Sequence, residues 1–265
     1  MSQPVPAGAS RNTLARRVAW RVAPRAMADR VVRHQAKLRH QEGIEGASRN
    51  YVAIHGNLVS RGPFMGMVYP GARDEMVARL LGRYEGEIGP WIEEAISREP
   101  VRFIDLGTND GYYAVGVKLA SPTTDVYGFE LSKAARRQCR ELAEINGVDL
   151  HLEARATARS VGRRIVSGAL LLSDIEGAEA SVFTPKVVDA LAECEVIIEL
   201  HDGFRQGVTE LICSRFERSH TVELVDSTSG FPEDRLLSGV SVRDRELMMP
   251  NLRTSTCRWG RFQPR

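Results

Sequence analysis

From residue 101 onward the chain alternates between two hydrophobic rhythms. Val101–Leu106 is a short apolar run that ends on an acid and a glycine, and helical spacing follows Gly111. Thr124–Glu130 is the next strand candidate. Ser132 then caps a helix whose buried face is Ala135, Cys139, Leu142 and Ala143, and Asn146-Gly147 ends it. Val148, Leu150, Leu152 and Ala154 alternate as a strand. Ala169–Asp174 and Glu195–His201 are two further apolar strands, each followed by a helical segment. Thr221–Val225 is the last clear strand, with Arg243–Met249 as one more candidate. Strands that alternate with helices predict an α/β fold: a mostly parallel sheet covered by helices on both faces.

Before residue 101 the pattern differs. Met76, Val77, Leu80 and Leu81 share one helical face, and Ile88, Trp91, Ile92, Ala95 and Ile96 another. Residues 41–72 read as loop and short strands, including the glycine-rich run from Arg61 to Pro70. Asn12–His40 has helical spacing, broken at Pro24. The expected organisation is therefore a basic helical arm (1–45), a helical cap (46–100) and a main α/β domain (101–265).

Charge sharpens that division. Residues 1–50 hold ten Lys/Arg and three Asp/Glu, leaving 26 basic and 31 acidic residues in the remainder. A basic arm is thus joined to a mildly acidic body. The arm is read first as a solvated or docked helix, and alternatively as a contact for anionic lipid or an acidic partner. No apolar run approaches the roughly 18 residues that span a bilayer. Cys139, Cys194, Cys213 and Cys257 are widely spaced and form no C-x-x-C pair. A reducing, cytoplasmic setting follows as the default, with peripheral contact at the inner face of a membrane if the arm binds lipid.

In such a sheet, ligands bind at the carboxyl ends of the strands, where the strand order reverses. The first strand ends Asp105-Leu-Gly107-Thr-Asn109-Asp-Gly111, a D-x-G-x-x-x-G loop. Because position 109 is Asn, it lacks the tight pyrophosphate cradle of G-x-G-x-x-G. Its glycines are expected to let the backbone approach a ligand, and the helix start behind it favours an anion. Glu130 closes the second strand, 25 residues after Asp105. An acid there can accept hydrogen bonds from both hydroxyls of an adenosine ribose.

These two motifs resemble those of the class I S-adenosylmethionine-dependent methyltransferases, and Tyr127-Gly-Phe-Glu130 looks like their acidic second motif. Ser173-Asp-Ile-Glu-Gly-Ala-Glu179 and Ile197-Ile-Glu-Leu-His-Asp202 are similar to the FkbM-type members, which mostly methylate hydroxyls of sugars and natural products. The helix start Gly111-Tyr-Tyr-Ala-Val-Gly116 also fits, and the resemblance covers about residues 60–226. It implies a Rossmann-like fold and S-adenosylmethionine held by Asp105, Gly107, Asn109, Gly111, Tyr112, Glu130 and Asp174.

An alcohol is a poor nucleophile at neutral pH, so a hydroxyl acceptor needs a base or a metal ion. Asp174, His201 and Asp202 stand at the tips of the fourth and fifth strands and are the candidate catalytic residues. His201 is expected as general base; alternatively Asp174, His201 and Asp202 together hold Mg²⁺. Glu176 and Glu179 read as first-turn helix acids, and Glu199 as a buried acid paired with an arginine. The fourth strand lacks the Asn/Asp-Pro-Pro-aromatic turn of amino-group methylating relatives, which favours a small-molecule or glycan hydroxyl. Two alternatives stand beside this reading. One is a nucleic-acid methyltransferase or RNA-binding module that uses the arm, although the acidic body argues against a specific nucleic-acid partner. The other is a catalytically inactive methyltransferase fold serving in a complex.

Overall fold

The computed structural model describes residues 42–70, 76–227, 237, 239–248 and 257–265. The readings of residues 1–41 lie outside these. Seven strands form one sheet: β1 (Arg102–Leu106), β2 (Asp125–Phe129), β3 (His151–Glu153), β4 (Leu170–Ser173), β5 (Glu195–Leu200), β6 (His220–Asp226) and β7 (Arg258–Pro264). Their spatial order is β3-β2-β1-β4-β5-β7-β6. All pairings are parallel except those of β7, which runs antiparallel between β5 and β6. The mostly parallel sheet is thus as the alternation of rhythms predicts.

Helices cover both faces. On one side lie residues 42–55 (α1), α2 (Met76–Leu80), α3 (Gly89–Ser97), α4 (Tyr112–Ala120) and α5 (Lys133–Ile145), packed on Phe103, Val126, Leu170, Leu172, Ile197 and Trp259. On the other, α6 (Ala158–Gly162), α7 (Glu179–Val182), α8 (Pro185–Ala190) and α9 (Val208–Phe216) meet Ile104, Leu106, Leu171, Val196, Ile198 and Phe262. Adjacent strand residues such as Phe103 and Ile104 enter opposite cores, as the pleat requires. Ser132 Oγ accepts from the Ala135 amide at 3.3 Å, which caps α5. At the other end of α5, Asn146 exchanges two 2.8 Å hydrogen bonds with the Val68 backbone, tying the cap to the body.

Three sequence expectations differ from the structure. Residues 42–55 are helical, not loop and short strand, so the 45/46 boundary falls inside one helix. Ile44, Ala47, Ser48 and Tyr51 form its buried face, a helical spacing obscured by Gly43 and Gly46, which are poor helix formers. The strand expected at Arg243–Met249 is a helix, α10 (Val242–Met248). Ser241 Oγ accepts from the Asp244 amide at 3.1 Å, the local bond of a helix start. The strand β7 has no counterpart in the sequence reading. It is covered on both faces, and its Arg261 is buried and bonded to Glu94 at 2.8 Å and Glu195 at 2.6 Å. A charge in a core strand hides both alternation and apolar run.

Candidate active site

The carboxyl ends of β1, β2, β4 and β5 stand side by side, with the order reversing between β1 and β4. At the β1 tip the chain turns tightly onto β2. The Gly107 and Thr108 amides donate to the Phe129 carbonyl at 2.8 and 3.1 Å. Gly107 has φ +88°, and a Cβ there would sit 1.7 Å from the Asp174 carbonyl oxygen. Gly111, at φ +97°, begins α4, and its Cβ would meet Cys139 Sγ at 2.6 Å. The sequence reading reserved that bare space for a ligand. The structure fills it with protein: these glycines let the β4 exit and α5 close on the loop.

Asp105, predicted to bind the cofactor, is buried beneath this loop, and its Oδ2 makes no hydrogen bond. Burial foremost, then the charge of Glu130, raise its pKa to about 8. Asn109 is exposed at the apex with φ +50°. Its amide donates to Glu130 Oε2 at 3.0 Å, while Glu130 Oε1 accepts from the Ser132 amide at 2.6 Å. Glu130 therefore faces the bend, half-buried, and amides fix its carboxylate from both sides.

Tyr112 is a correction. It is buried among Phe64, Tyr69, Tyr84 and Tyr113, all edge-on within 5.6 Å of its ring. The guanidinium of Arg79 sits in the same cluster, 4.2 Å from the Tyr84 ring centroid, and bonds Asp110 Oδ2 at 3.2 Å. Tyr69 donates to the same Asp110 oxygen. Tyr112 and Asp110 thus fasten the cap to the β1–α4 loop, and α4 starts with an aromatic for that reason.

The β4 and β5 tips carry a denser group. Leu106 pairs with Ser173, and Ser173 with Ile198, so Asp174 and His201 emerge on neighbouring strands. His201 is buried, with Nδ1 2.6 Å from Glu179 Oε1. Its Nε2 is 3.4 Å from Asp174 Oδ1 and 3.4 Å from Glu199 Oε2. The side chains of Glu179 and Glu199 are 0% and 2% exposed, whereas that of Asp174 is 35% exposed. Oxygens of Glu85, Asp174 and Glu199 also come within 4.8 Å of one another. Burial, then the charges of Glu199 and Glu85, hold the Asp174 carboxyl well above the usual carboxylate range. Burial alone would lower the His201 pKa. Hydrogen bonds to Glu179 and Glu199 outweigh it, so His201 rises to about 11.

Two catalytic expectations change here. As a base awaiting a proton, His201 is poorly set, because carboxylates face both ring nitrogens. Asp202 stands apart from the group: Oδ1 accepts from the Thr209 amide at 3.3 Å and Oδ2 from the Thr209 hydroxyl, fixing the start of α9. The expected Mg²⁺ ligand set of Asp174, His201 and Asp202 therefore does not assemble, and no step is derived through a metal.

Glu179, Glu199 and Glu85 were not singled out as functional by sequence reasoning. Glu179 and Glu199 fit a helix-start acid and a strand acid equally well, yet both turn onto His201. Glu85 arrives from the cap at φ +46° and accepts from the Tyr113 hydroxyl at 2.6 Å. A pattern read along the chain does not bring residue 85 to β4. The signal for Glu199 was present: an acid inside an apolar strand, two residues before a histidine.

With the sheet order and this site described, the fold is a Rossmann-like α/β fold, a mostly parallel seven-stranded sheet whose order reverses between β1 and β4. No protein-family profile matches the chain, and no curated protein sequence matches it. Several solved methyltransferases are similar at low identity. An rRNA methylase from Streptococcus thermophilus is 11% identical over 64% of this chain and 92% of that one, with a TM-score of 0.44. A ribosomal protein L11 methylase from Lactobacillus delbrueckii subsp. bulgaricus is 14% identical over 69% and 80%, with a TM-score of 0.41. The bifunctional kinase-methyltransferase WbdD is 18% identical over 64% of this chain but 37% of its own, with a TM-score of 0.43.

Proposed function

We propose that this protein is an S-adenosylmethionine-dependent methyltransferase whose acceptor is a hydroxyl on a sugar or other small natural product. The observation that carries the reading is Glu130, a carboxylate fixed at the β2 tip and turned onto the β1–α4 bend. Each of its oxygens uses one acceptor site on a backbone amide and keeps another for a ribose hydroxyl. Asp105, with an unbonded buried oxygen beneath the same loop, leaves a further polar atom unpaired on that side. The bound cofactor would supply a methyl already activated by a sulfonium, so the chain need only align an acceptor and take its proton.

Asp174 stands across the switch point from Glu130, beside β1, with part of its carboxyl reaching solvent. It is the proposed contact between the two halves of the site. The residue after β4 is followed by Ile-Glu, which gives no proline-aromatic turn to cradle an amino nitrogen. That composition supports oxygen over nitrogen as the nucleophile. The FkbM-like segment from Ser173 to Glu179 supports a sugar or natural-product acceptor. The test is transfer of a labelled methyl from S-adenosylmethionine to a panel of glycans and small hydroxylated metabolites, with RNA and amine acceptors alongside. Label on a hydroxyl of the first group is expected. Label on RNA or on amines alone would overturn the acceptor assignment.

A further inference from the structure

The His201 pocket has a charge pattern that fixes its protonation. Every element packed against the ring presents an ionisable group: Glu179 from α7, Asp174 and Glu176 after β4, Glu199 from β5, and Cys257 before β7. The Phe204 ring closes the remaining side edge-on, 5.6 Å away between centroids. Glu85 faces Asp174 and Glu199 from the cap.

Glu179 Oε1 also accepts from the Gly177 amide at 3.1 Å, so this oxygen is already held as an acceptor and Nδ1 is the group placed to donate across the 2.6 Å contact. A neutral imidazole would then point the bare Nε2 lone pair at oxygens of both Asp174 and Glu199, a repulsive arrangement. One proton placed among Nε2 and those carboxyls goes to the more basic group, the imidazole. Both ring nitrogens are then donors, and the ring has no site left to receive a proton. Of the three carboxylates within 3.4 Å of its nitrogens, Glu179 and Glu199 are sealed in, whereas Asp174 is partly open to the cleft.

We propose that Glu179 holds His201 as a permanent imidazolium, and that this cation positions Asp174 as the group that takes the proton of the acceptor hydroxyl. The second half rests on the methyltransferase reading; the first does not. As the acceptor oxygen bonds to the methyl carbon, the carbon–sulfur bond breaks and its electron pair stays on sulfur. The acceptor's proton passes to the Asp174 carboxylate. Burial and the charges of Glu199 and Glu85 raise its proton affinity, so from its ionised form Asp174 accepts that proton more readily than an exposed aspartate would. His201 is accordingly a positioning residue: it holds one face of the Asp174–Glu199 pair and offsets their charge.

Imidazole ¹⁵N–¹H correlation spectra of the full chain test the first half without any substrate. The chain has six histidines, and His201→Gln assigns the resonance. Both ring nitrogens of His201 should keep protonated shifts through pH 9, and Glu179→Gln should lower the midpoint by about 1–3 pH units. A neutral His201 at pH 7 in the wild type would overturn the proposal, and that titration decides even if Glu179→Gln fails to fold. The second half is tested on methyl transfer. Asp174→Asn should lower turnover by about 10²–10⁴-fold at saturating cofactor, and His201→Lys, which keeps a cation, should retain more turnover than His201→Gln. Wild-type turnover in Asp174→Asn would refute its role. A wild type that binds no S-adenosylmethionine would sink the methyltransferase reading while the spectra still report on His201.

Discussion

The two sides of the cleft hold their acids by opposite means. On the β1–β2 side a single carboxylate, Glu130, is fixed by the Asn109 and Ser132 amides and keeps acceptor capacity toward solvent. On the β4–β5 side, Asp174, Glu179 and Glu199 crowd one buried imidazole, and Glu179 Oε2 is left without a hydrogen bond. An acid fixed by backbone amides keeps free lone pairs and is suited to gripping polar hydroxyls. Acids packed around a cation shift their proton affinities and are suited to moving protons. The two sides thus differ in which donors each acid meets, and under the proposed function the first would bind cofactor and the second would move a proton.

The largest expected effect separates the halves outright. Asp174→Ala should cost about 10²–10⁴-fold in kcat for methyl transfer and leave the Kd of S-adenosylmethionine within a few-fold of wild type. Glu130→Ala should do the reverse. Loss of hydrogen bonds to a charged group, about 1.5–3 kcal/mol, weakens cofactor binding by roughly 10–100-fold, with turnover at saturating cofactor nearly kept. Equal losses of affinity in both variants would erase the distinction.

A smaller effect concerns the clamp that seats the cap on the β1–α4 loop. Arg79 and Asp110 are 6% and 7% exposed at their side chains, so Arg79→Met leaves a buried carboxylate without its cation. About 3–5 kcal/mol of stability should be lost, read as a lower urea midpoint. An unchanged midpoint would show that the aromatic cluster alone holds the cap.

The smallest effect is a slope. Asp105 has a folded pKa of about 8, against about 3.9 when unfolded. Between those values the folded state holds a proton that the unfolded chain has released. Stability should therefore fall as pH rises from about 4 to 8, by at most about 1.4 kcal/mol per unit. Asp105→Asn should flatten that part of the urea-stability profile, and identical profiles for both proteins would contradict the assignment.

The sequence carried the sheet and the β1–β2 side of the cleft further than the β4–β5 side, and the reason is locality. Glu130 and the Asp105–Gly111 loop lie on consecutive strands, and the tip of each strand is visible in the apolar runs that precede it. The alternating segments likewise announced β1 to β6. By contrast, β7 is a doubly covered strand with a buried Arg261, and its partner Glu94 lies far away in α3. Glu85 reaches the β4 tip because of how the cap folds back. The direction of Asp202 was equally hidden. Only the distance to Thr209, seven residues on, shows that it holds α9 and not a ligand.

The reading as a whole depends on adenosine entering between β1 and β2. Isothermal titration of the wild-type chain with S-adenosylhomocysteine, which binds without reacting, tests that directly. Saturable one-to-one binding, weakened in Glu130→Ala, is the expected result. Folded protein that gives no binding heat and no rise in Tm with the ligand at millimolar concentration would contradict it.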